Sequence, residues 1–327
     1  IRFLVSRTTN QLRCWVSYAL SIFGIVRVRH LPTFVSIESA NICQLRCPEC
    51  PVGMRKGEGG KSSNRLLSMD MFQHILEQVK ATTHTMQFYF QGEPLLNPQL
   101  PQMIALARQA GLYTIVSTNA QALSQEMAHL LIQSGLNRII VSIDGFSQES
   151  YEAYRTGGSL QKALDGLRFL REAKQQHYSS IRIELQVLRL RTNEHEWHWI
   201  RRHYKAIGAT HLVFKTAQLY DYEHGNPLMP TNERYSRYKR KADGTYVHKQ
   251  HAPHHLSPCY RLWSGCVITT NGKVLPCCYD KEHLHTYGNI TTQTLSQLFH
   301  SDKANTLRRH ILLHPHHLPE MCKNCNH

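Results

Sequence analysis

The sequence predicts an α/β protein whose core is a parallel sheet built from about six strand–helix units. From residue 33 onward, short apolar runs rich in Val, Ile and aromatic residues alternate with segments whose apolar residues recur at helical spacing. Continuous apolar runs of this kind are typical of strands that are buried on both faces. The predicted strands cover residues 33–39, 85–90, 112–118, 137–143, 181–188 and 210–215.

Glycines mark three of the junctions between a predicted helix and the strand that follows it. Gly111, Gly135 and Gly208 each stand directly after a helical segment. At this position the chain commonly adopts the left-handed conformation, which costs glycine little because it has no Cβ atom. The repeated short connections indicate that consecutive strands run parallel.

Polar motifs stand where several of these strands end. QGEP at 91–94, STNA at 117–120 and SIDG at 142–145 each close an apolar run. Parallel α/β barrels place their chemistry at the carboxyl ends of the strands. We therefore expect these motifs to line one mouth, together with the cysteine-rich loop that follows the first strand.

The composition is that of an ordinary globular protein with a basic surface. Of the 327 residues, 41% are hydrophobic and 19% are charged, and 38 Lys and Arg against 23 Asp and Glu give a formal charge of +15. The surplus favours nucleic acid, anionic lipid or an acidic partner without specifying one, so we interpret it mainly as a solvated surface. The ten cysteines cluster tightly and no cleavable signal peptide is evident, which favours metal ligation in a reducing, cytoplasmic compartment.

Residues 1–32 are predicted to form an N-terminal amphipathic helical segment. Its apolar stretch at 14–26 is shorter than the roughly 18 residues of a membrane span. Arginines lie on both sides of the stretch, and no acidic residue precedes Glu38. We favour a helix packed on the main domain; the alternative is a peripheral helix that makes weak contact with an anionic membrane surface.

Three cysteines follow the first predicted strand with the spacing C-x3-C-x2-C. Cys43, Cys47 and Cys50 have no fourth cysteine nearby. Structural zinc sites usually have four ligands and paired C-x2-C motifs, so this set does not match zinc. A cubane iron–sulfur cluster is held by cysteine thiolates, normally one for each iron. Three thiolates would therefore leave one iron open to a ligand that the protein does not supply.

This motif in this position resembles that of the radical S-adenosylmethionine (SAM) enzymes. The resemblance spans roughly residues 33–325 and implies a partial (β/α)6 TIM-like barrel over residues 33–215. It also implies a [4Fe–4S] cluster whose open iron binds the amino and carboxylate groups of SAM. In that family one electron from the cluster cleaves SAM to a 5′-deoxyadenosyl radical, which abstracts a substrate hydrogen. A reducing partner such as flavodoxin or ferredoxin is then expected.

The resemblance also implies a set of SAM contacts at the strand ends. Glu93 in the GEP motif is expected to receive the ammonium group of SAM, and Arg155 is expected to pair with its carboxylate. One position departs from the family pattern, because Glu49 stands where an aromatic residue often precedes the third cysteine. The implied cofactor-binding residues are Gly92, Glu93, Ser117, Asn119, Ser142, Asp144, Arg155 and Gln186.

A second cysteine set lies near the C-terminus, in a region predicted as a small domain over residues 258–327. Twelve residues separate its first cysteine from Gly272, and four more precede the next cysteine, which resembles the C-x(9–15)-G-x4-C opening of SPASM and twitch extensions. TNGK at 270–273 is a tight-turn sequence that suits the hairpin of such extensions. The implied ligands of one auxiliary [4Fe–4S] cluster are Cys259, Cys277, Cys322 and Cys325.

The sequence does not decide which metal the second cysteine set binds or what role the site has. Four cysteines that end in C-x2-C also suit a structural zinc site. An auxiliary cluster with four protein ligands would serve in electron transfer or in structural support, and the sequence does not choose between them. Cys266 and Cys278 are interpreted as bystanders, and Cys14 as a small buried apolar residue.

Residues 216–257 are predicted to be a linker near the barrel mouth. Gln218, Tyr220, Asp221 and Tyr222 are candidate substrate contacts, with an ordinary surface linker as the alternative. The histidine run at 251–255 is interpreted as a solvated loop. No catalytic side chain is assigned.

The function implied by the resemblance is hydrogen abstraction from an unactivated C–H bond. We favour peptide or protein modification over the oxidation or epimerisation of a small polar metabolite, so that the predicted partner is a peptide or small-molecule substrate. An alternative of a different class is a non-catalytic metal-cluster protein that binds nucleic acid, whose affinity would fall steeply with salt.

Overall fold

The computed structural model describes residues 3–54, 66–249 and 259–325. The histidine run at 251–255 lies outside these ranges. The strands are β1 (Phe34–Ile37), β2 (Thr85–Gln87), β3 (Tyr113–Thr118), β4 (Arg138–Ser142), β5 (Arg182–Arg189), β6 (His211–Thr216), β7 (Tyr238–Arg240), β8 (Tyr246–His248), β9 (Gly265–Ile268), β10 (Lys273–Leu275) and β11 (Gly288–Asn289).

Helices follow most of these strands. They are α1 (Leu4–Ile22), α2 (Pro51–Met54), α3 (Met69–Val79), α4 (Leu100–Gln109), α5 (Gln125–Gln133), α6 (Gln148–Glu152), α7 (Leu160–Gln176), α8 (Trp197–His203), α9 (Tyr260–Ser264), α10 (Leu295–Phe299), α11 (Asp302–Leu313) and α12 (Glu320–Lys323). None of the described helices is long and apolar enough to cross a bilayer.

Strands β1 to β6 form a parallel sheet in chain order, at the six positions that the sequence predicts. The predicted α/β class and partial barrel are thereby confirmed. Gly111, Gly135 and Gly208 have φ angles of +79°, +75° and +112°, as expected for the helix-to-strand junctions. Short left-handed turns at these glycines return the chain to the start of the next parallel strand.

The C-terminal extension continues the barrel sheet. Strand β9 pairs parallel with the free edge of β1, and β10 and β11 follow it in antiparallel order. The turn between β9 and β10 has Gly272 at φ +81°, where a Cβ atom would lie 2.6 Å from the side-chain oxygen of Asn289. The cysteine-rich region is therefore joined to the barrel by backbone hydrogen bonds.

The strands are not apolar on both faces. Val35, Ile37 and their counterparts on neighbouring strands pack beneath the helices in the main core. Alternate residues such as Ser36, Gln87 and Lys215 line a cavity on the other face. The strands are buried on both faces, as expected, since Ser36 is 3% exposed between Val35 and Ile37 at 0%, but their inner face is more polar because it lines this cavity.

A buried arginine holds the extension together. Arg308 of α11 is fully buried and donates to the carbonyl oxygens of Leu262 at 3.0 Å and Phe299 at 2.9 Å. Its guanidinium carbon also lies 4.4 Å from the centre of the Phe299 ring. These contacts join α9, α10 and α11 next to the second cysteine set.

Candidate active site and cysteine sites

The first cysteine set occupies the loop between β1 and α2. Cys47 is buried, and Cys43 and Cys50 are half-buried. All three belong to one apolar cluster that also contains Leu45 and Tyr154. The loop is closed by a hydrogen bond from the Cys50 N–H to the Cys47 carbonyl at 3.2 Å, directly before helix α2 begins.

The sulfur atoms of this loop receive hydrogen bonds from the barrel. The side-chain amide of Asn119 donates to Cys43 Sγ at 3.4 Å, and the Leu45 N–H donates to the same sulfur at 3.4 Å. Burial, together with the nearby Glu93, Cys47 and Cys50, raises the pKa of Cys43 to about 11, although the Leu45 hydrogen bond opposes the shift. Such thiols ionise readily only when a cation is bound beside them.

The GEP motif packs directly against the cysteine loop. Gly92 has φ +72°, and a Cβ atom there would lie 2.4 Å from the carbonyl oxygen of Ala40 and 2.8 Å from that of Ile42. Glycine is therefore required for the close approach of these two segments. The Glu93 N–H donates to the Ile42 carbonyl at 2.8 Å, which fixes the acid beside the loop.

The Glu93 carboxylate organises the neighbouring strand end. It is 2% exposed and accepts hydrogen bonds from Leu95 N–H at 3.1 Å, Thr118 Oγ1 at 2.6 Å and Asn119 N–H at 2.8 Å. Burial raises its pKa, although these three donors oppose the shift. A carboxylate has about four acceptor positions, so one is left for a ligand.

Asp144 and Arg155 pair with each other. Arg155 Nε and Nη2 both lie 2.6 Å from Asp144 Oδ2, and the other oxygen accepts the Leu188 N–H at 2.6 Å. The Asp144 side chain has no exposed surface and that of Arg155 is 15% exposed. Burial lowers the pKa of Arg155, but Asp144 and Cys47 more than compensate and hold it above its usual value.

Three other predicted residues lie at adjacent strand ends with their side chains unpaired. Ser142 and Gln186 are register partners on β4 and β5, and Ser117 lies at the end of β3. Within the described ranges, none of the three side chains forms a hydrogen bond. Their polar atoms are available to a ligand at the mouth.

The second cysteine set brings together residues that lie far apart in sequence. Cys259 precedes α9, Cys277 follows β10, and Cys322 and Cys325 lie in and just after α12. Burial and the neighbouring cysteines raise the pKa of Cys277 well above its ordinary value and that of Cys322 to about 12. The Tyr279 N–H donates to Cys277 Sγ at 3.4 Å.

The three remaining cysteines lie in different surroundings. Cys14 and Cys266 are buried, with 0% and 2% exposure, as the bystander interpretation expects. Cys278 instead lines a cavity inside the barrel, and its sulfur accepts a hydrogen bond from Arg261 Nη1 at 3.7 Å.

Glu49 connects the cysteine loop to the linker, a role that the sequence did not reveal. Its two carboxylate oxygens accept hydrogen bonds from the Tyr220 N–H at 2.7 Å and the Asn226 side chain at 3.0 Å. Lys281 approaches from the extension, donating to Gln218 Oε1 at 3.3 Å. The linker therefore lies over the mouth between the two cysteine sites.

A cavity of about 680 Å³ lies inside the barrel beside the second cysteine set. Its walls include Ser36, Gln87 and Tyr89 from the inner faces of the strands and Cys277 and Cys278 from the extension. Burial raises the pKa of Tyr89 to about 12.

The charges around this cavity are all positive. Lys215, Arg237 and Arg261 line it, and no acidic residue of the described chain does. Arg237 Nε is buried without a hydrogen-bond partner. The Glu184 carboxylate, which acts electrostatically on Lys215, is held by Arg138 at 2.6 Å and Arg182 at 2.9 Å. The cavity is therefore suited to an anionic group.

Both cysteine sets have the donor chemistry of iron–sulfur sites. Each set is rich in thiols, receives N–H···S hydrogen bonds and contains thiols whose pKa is raised by burial and by other cysteines. In the described ranges, no three His, Cys, Asp or Glu side chains converge on a single-ion site. The residues present fit cluster binding.

Comparison with known proteins places these features in a family. The chain is 28% identical to the PqqA peptide cyclase of Rhodopseudomonas palustris over 266 residues, which cover 76% of this chain and 67% of that protein. It is 26% identical to the AdoMet-dependent heme synthase of Methanosarcina barkeri over 150 residues, 46% of this chain and only 42% of that protein. The fold also matches Streptococcus suis SuiB bound to precursor peptide SuiA, with a TM-score of 0.64, 11% identity, and coverage of 92% of this chain and 71% of SuiB.

Two family models match the two parts of the chain. Residues 37–183 match the radical SAM superfamily, and residues 259–326 match the iron–sulfur cluster-binding SPASM domain. The predicted cofactors, SAM with a [4Fe–4S] cluster and an auxiliary iron–sulfur cluster, are confirmed by these matches. The chain therefore contains a radical SAM domain followed by a C-terminal SPASM domain.

Proposed function

We propose that this chain removes a hydrogen atom from an unactivated C–H bond of a peptide substrate, and that the substrate presents an anionic group to the inner cavity. The observation that carries the proposal is the cavity of about 680 Å³, lined by three cationic side chains and no acidic one in the described chain. The names of two similar proteins, PqqA peptide cyclase and SuiB with its precursor peptide, support a peptide substrate.

The two cysteine sets divide the cluster ligands between them. Cys43, Cys47 and Cys50 would hold the [4Fe–4S] cluster that leaves one iron open. The auxiliary cluster would be held by Cys259, Cys277, Cys322 and Cys325. The chemistry that the first cluster and SAM supply when bound is one-electron cleavage of SAM and abstraction of a substrate hydrogen atom.

The chain's own residues would position SAM at the strand ends. Glu93 has one acceptor position left for the ammonium group, and Gly92 lets this segment approach the cysteine loop. The unpaired side chains of Ser117, Ser142 and Gln186 would serve the polar groups of SAM. Asn119 contacts Cys43, which couples this strand end to the cluster.

The Asp144–Arg155 pair has a different role in this proposal from a simple SAM contact. The Asp144 carboxylate already pairs with Nε and Nη2 of Arg155. A SAM carboxylate would therefore bind the guanidinium N–H groups that remain. Asp144 would act by orienting Arg155, and Arg155 would contact the cofactor. The carbonyl of Asp144 in turn accepts from the buried side chain of Asn193 at 2.9 Å.

Substrate selection would occur in the cavity. Lys215 and Arg261 face the enclosed space from β6 and α9, and burial lowers the pKa of Lys215. An anionic group placed between them would relieve the mutual repulsion of these cations. The basic surface, with a formal charge of +15, also suits a negatively charged reducing partner such as flavodoxin or ferredoxin.

The radical chemistry is tested by reconstituting the protein without oxygen, adding SAM and dithionite, and measuring 5′-deoxyadenosine by mass spectrometry. We expect nucleoside from the wild type and none from a Cys43→Ala, Cys47→Ala, Cys50→Ala variant that keeps the C-terminal cysteines. If the iron-loaded wild type neither binds SAM nor forms nucleoside, the proposed activity is wrong.

The substrate class is tested separately with a peptide library whose members come in pairs, one with Glu and one with Gln at the same position. Acidic members should stimulate nucleoside formation more than their neutral partners in the wild type and in Lys215→Arg. This preference should disappear in Lys215→Ala and persist in Lys205→Ala, which removes an exposed lysine outside the cavity. Equal stimulation by both members of a pair would refute the proposal that the cavity selects an anionic substrate. It would not contradict the proposed radical chemistry.

A further inference from the structure

Helix α1 packs on the barrel through its polar side. The residues buried along it recur at intervals of three and four, so that they form one stripe. They are Arg7, Asn10, Cys14, Ser17 and Ser21. In most surface helices the buried stripe is apolar, so this arrangement is inverted.

The polar stripe is held by specific hydrogen bonds. Arg7 donates to the carbonyl oxygens of Lys80 and Ala110, each at 2.6 Å, where helices α3 and α4 end. A guanidinium at two helix C-termini satisfies carbonyls that the helices leave unpaired and interacts favourably with both dipoles. Asn10 exchanges hydrogen bonds with the backbone of Leu31 at 2.9 Å in both directions. The orientation of α1 is therefore fixed.

The opposite side of the segment exposes a continuous apolar stripe. Val5 is 79% exposed, Trp15 55%, Val16 60% and Phe23 80%. The other apolar side chains that are about half exposed or more in this segment are Leu4, Leu12, Ile22 and Ile25. A 19-residue helix is about 28 Å long, and the exposed apolar side chains are distributed from its first residue to its last.

Positive charge accompanies this stripe. Arg13, Arg27 and Arg29 are exposed. No acidic residue precedes Glu38 in the sequence. An apolar stripe with Trp and Phe, flanked by arginines and free of acids, has the composition of helices that lie in the headgroup region of anionic membranes.

We propose that α1 and the residues that follow it, up to Ile25, attach this protein to the surface of an anionic bilayer. The apolar side chains enter the headgroup boundary and the arginines pair with lipid phosphates and carboxylates. The binding is peripheral, because no described helix can span a bilayer. A second copy of the chain is a poorer occupant, because a two-fold contact through α1 would bring the arginines of both copies together.

The position of α1 also decides which way the active site faces. Arg7 contacts the C-terminal ends of barrel helices, and these ends lead into the amino ends of the strands. The cysteine loop and the predicted SAM contacts lie at the carboxyl ends of the strands. A protein bound through α1 therefore directs its mouth away from the lipid, toward the aqueous side.

The test is vesicle flotation of the full chain with its clusters reconstituted. The vesicles contain phosphatidylcholine alone or phosphatidylcholine with about 30% phosphatidylserine. The variant is Val16→Glu, Phe23→Glu, and its matched control is Tyr178→Glu, Leu313→Glu, which places the same charges at sites 96% and 59% exposed elsewhere on the surface. Thermal unfolding and iron content check that both variants fold like the wild type.

We expect the wild type and the control to float with the phosphatidylserine vesicles, and the α1 variant to bind them at least about tenfold more weakly. Wild-type binding should fall with added salt, and nucleoside formation without vesicles should be the same in the wild type and both variants. Failure of the wild type to bind, or equal binding by the α1 variant, would overturn the proposal. A concentration-dependent dimer that the α1 variant abolishes would also overturn it, because a second copy would then cover the stripe.

Discussion

The two cysteine sites are built in opposite ways. The first set lies within eight residues of one loop, and its surroundings are supplied by the barrel through Gly92, Glu93 and Asn119. The second set spans residues 259–325, and its last two members lie at the end of the described chain, in and just after a four-residue helix. A local site thus depends on a framework that exists without metal, whereas a dispersed site gains its geometry when a cluster joins its segments.

This difference predicts different consequences of damage. Removing the cysteines of the first site should mainly abolish chemistry, whereas breaking the buried Asp144–Arg155 pair beside that site should also destabilise the fold. Changes near the second site should alter stability, because its ligands join chain segments whose loop closure has an entropic cost.

Asp144→Asn should have the largest effect at the first site. It leaves the buried Arg155 without its carboxylate, and breaking a buried ion pair in this way costs about 3–5 kcal/mol. Chemical denaturation of the anaerobic protein measures the loss. The matched control is Asp165→Asn, which removes an exposed pair with Arg168 and should cost less than about 0.5 kcal/mol. Equal losses in the two variants would show that the Asp144–Arg155 pair does not stabilise the fold.

Acid should destabilise the fold where His30 joins α1 to α9. His30 Nε2 donates to the Trp263 carbonyl at 2.7 Å, its Nδ1 pairs with the Ser17 hydroxyl at 3.2 Å, and burial lowers the pKa of the ring to about 4. Because the unfolded chain takes up this proton near pH 6.5, stability should fall as the pH drops from 6.5 toward 4, by about 3 kcal/mol in all. Thermal unfolding as a function of pH measures the effect.

The control for this pH dependence is a pair of variants. His30→Gln should flatten the profile between pH 6.5 and 4, whereas His211→Gln, at an exposed position, should leave it unchanged. A wild-type slope retained in His30→Gln would assign the acid sensitivity to other groups.

Cys322→Ala, Cys325→Ala tests the stabilising role of the second site. The variant should lose about four of about eight irons and about 2 kcal/mol of stability, because the C-terminal segment is released. Iron analysis and thermal unfolding measure both quantities. The Cys43→Ala, Cys47→Ala, Cys50→Ala variant should lose as much iron but less stability. The reverse order of stabilities would contradict the comparison.

Asn119→Ala should have the smallest effect, confined to the first cluster. It removes one N–H···S hydrogen bond to Cys43, and such bonds stabilise the reduced, more negative cluster. The reduction potential of the first cluster should fall by about 40 mV, equivalent to about 1 kcal/mol for one electron. Redox titration of the spectrum would show no change in the auxiliary cluster. A similar shift in both clusters would indicate a general change in the fold.

The six strand positions and the three glycine junctions could be predicted because they depend on local patterns. Apolar periodicity and a glycine after a helix are visible in short windows of sequence. The cysteine motifs could be predicted for the same reason, since each spacing is a local property. The grouping of Cys277 with Cys322 could be expected only from the family resemblance, because 44 intervening residues separate them and no local pattern joins them.

Other features depend on contacts that no local pattern records. Glu49 meets Tyr220 across 171 residues, and β9 pairs with β1 across more than 200. The orientation of α1 is hidden for another reason. Its periodicity shows that the helix is amphipathic but does not show which face is buried. The polar face is buried because Arg7 and Asn10 form hydrogen bonds with the barrel.

The most direct test of the account is electron paramagnetic resonance of the two cysteine variants, reduced with dithionite and measured with and without SAM. The account predicts that SAM changes the signal of Cys322→Ala, Cys325→Ala, which keeps the first cluster. It predicts no change in Cys43→Ala, Cys47→Ala, Cys50→Ala, whose remaining cluster has four protein ligands. A SAM-dependent signal in the triple variant, or none in the double variant, would contradict the assignment of the open iron to the first site.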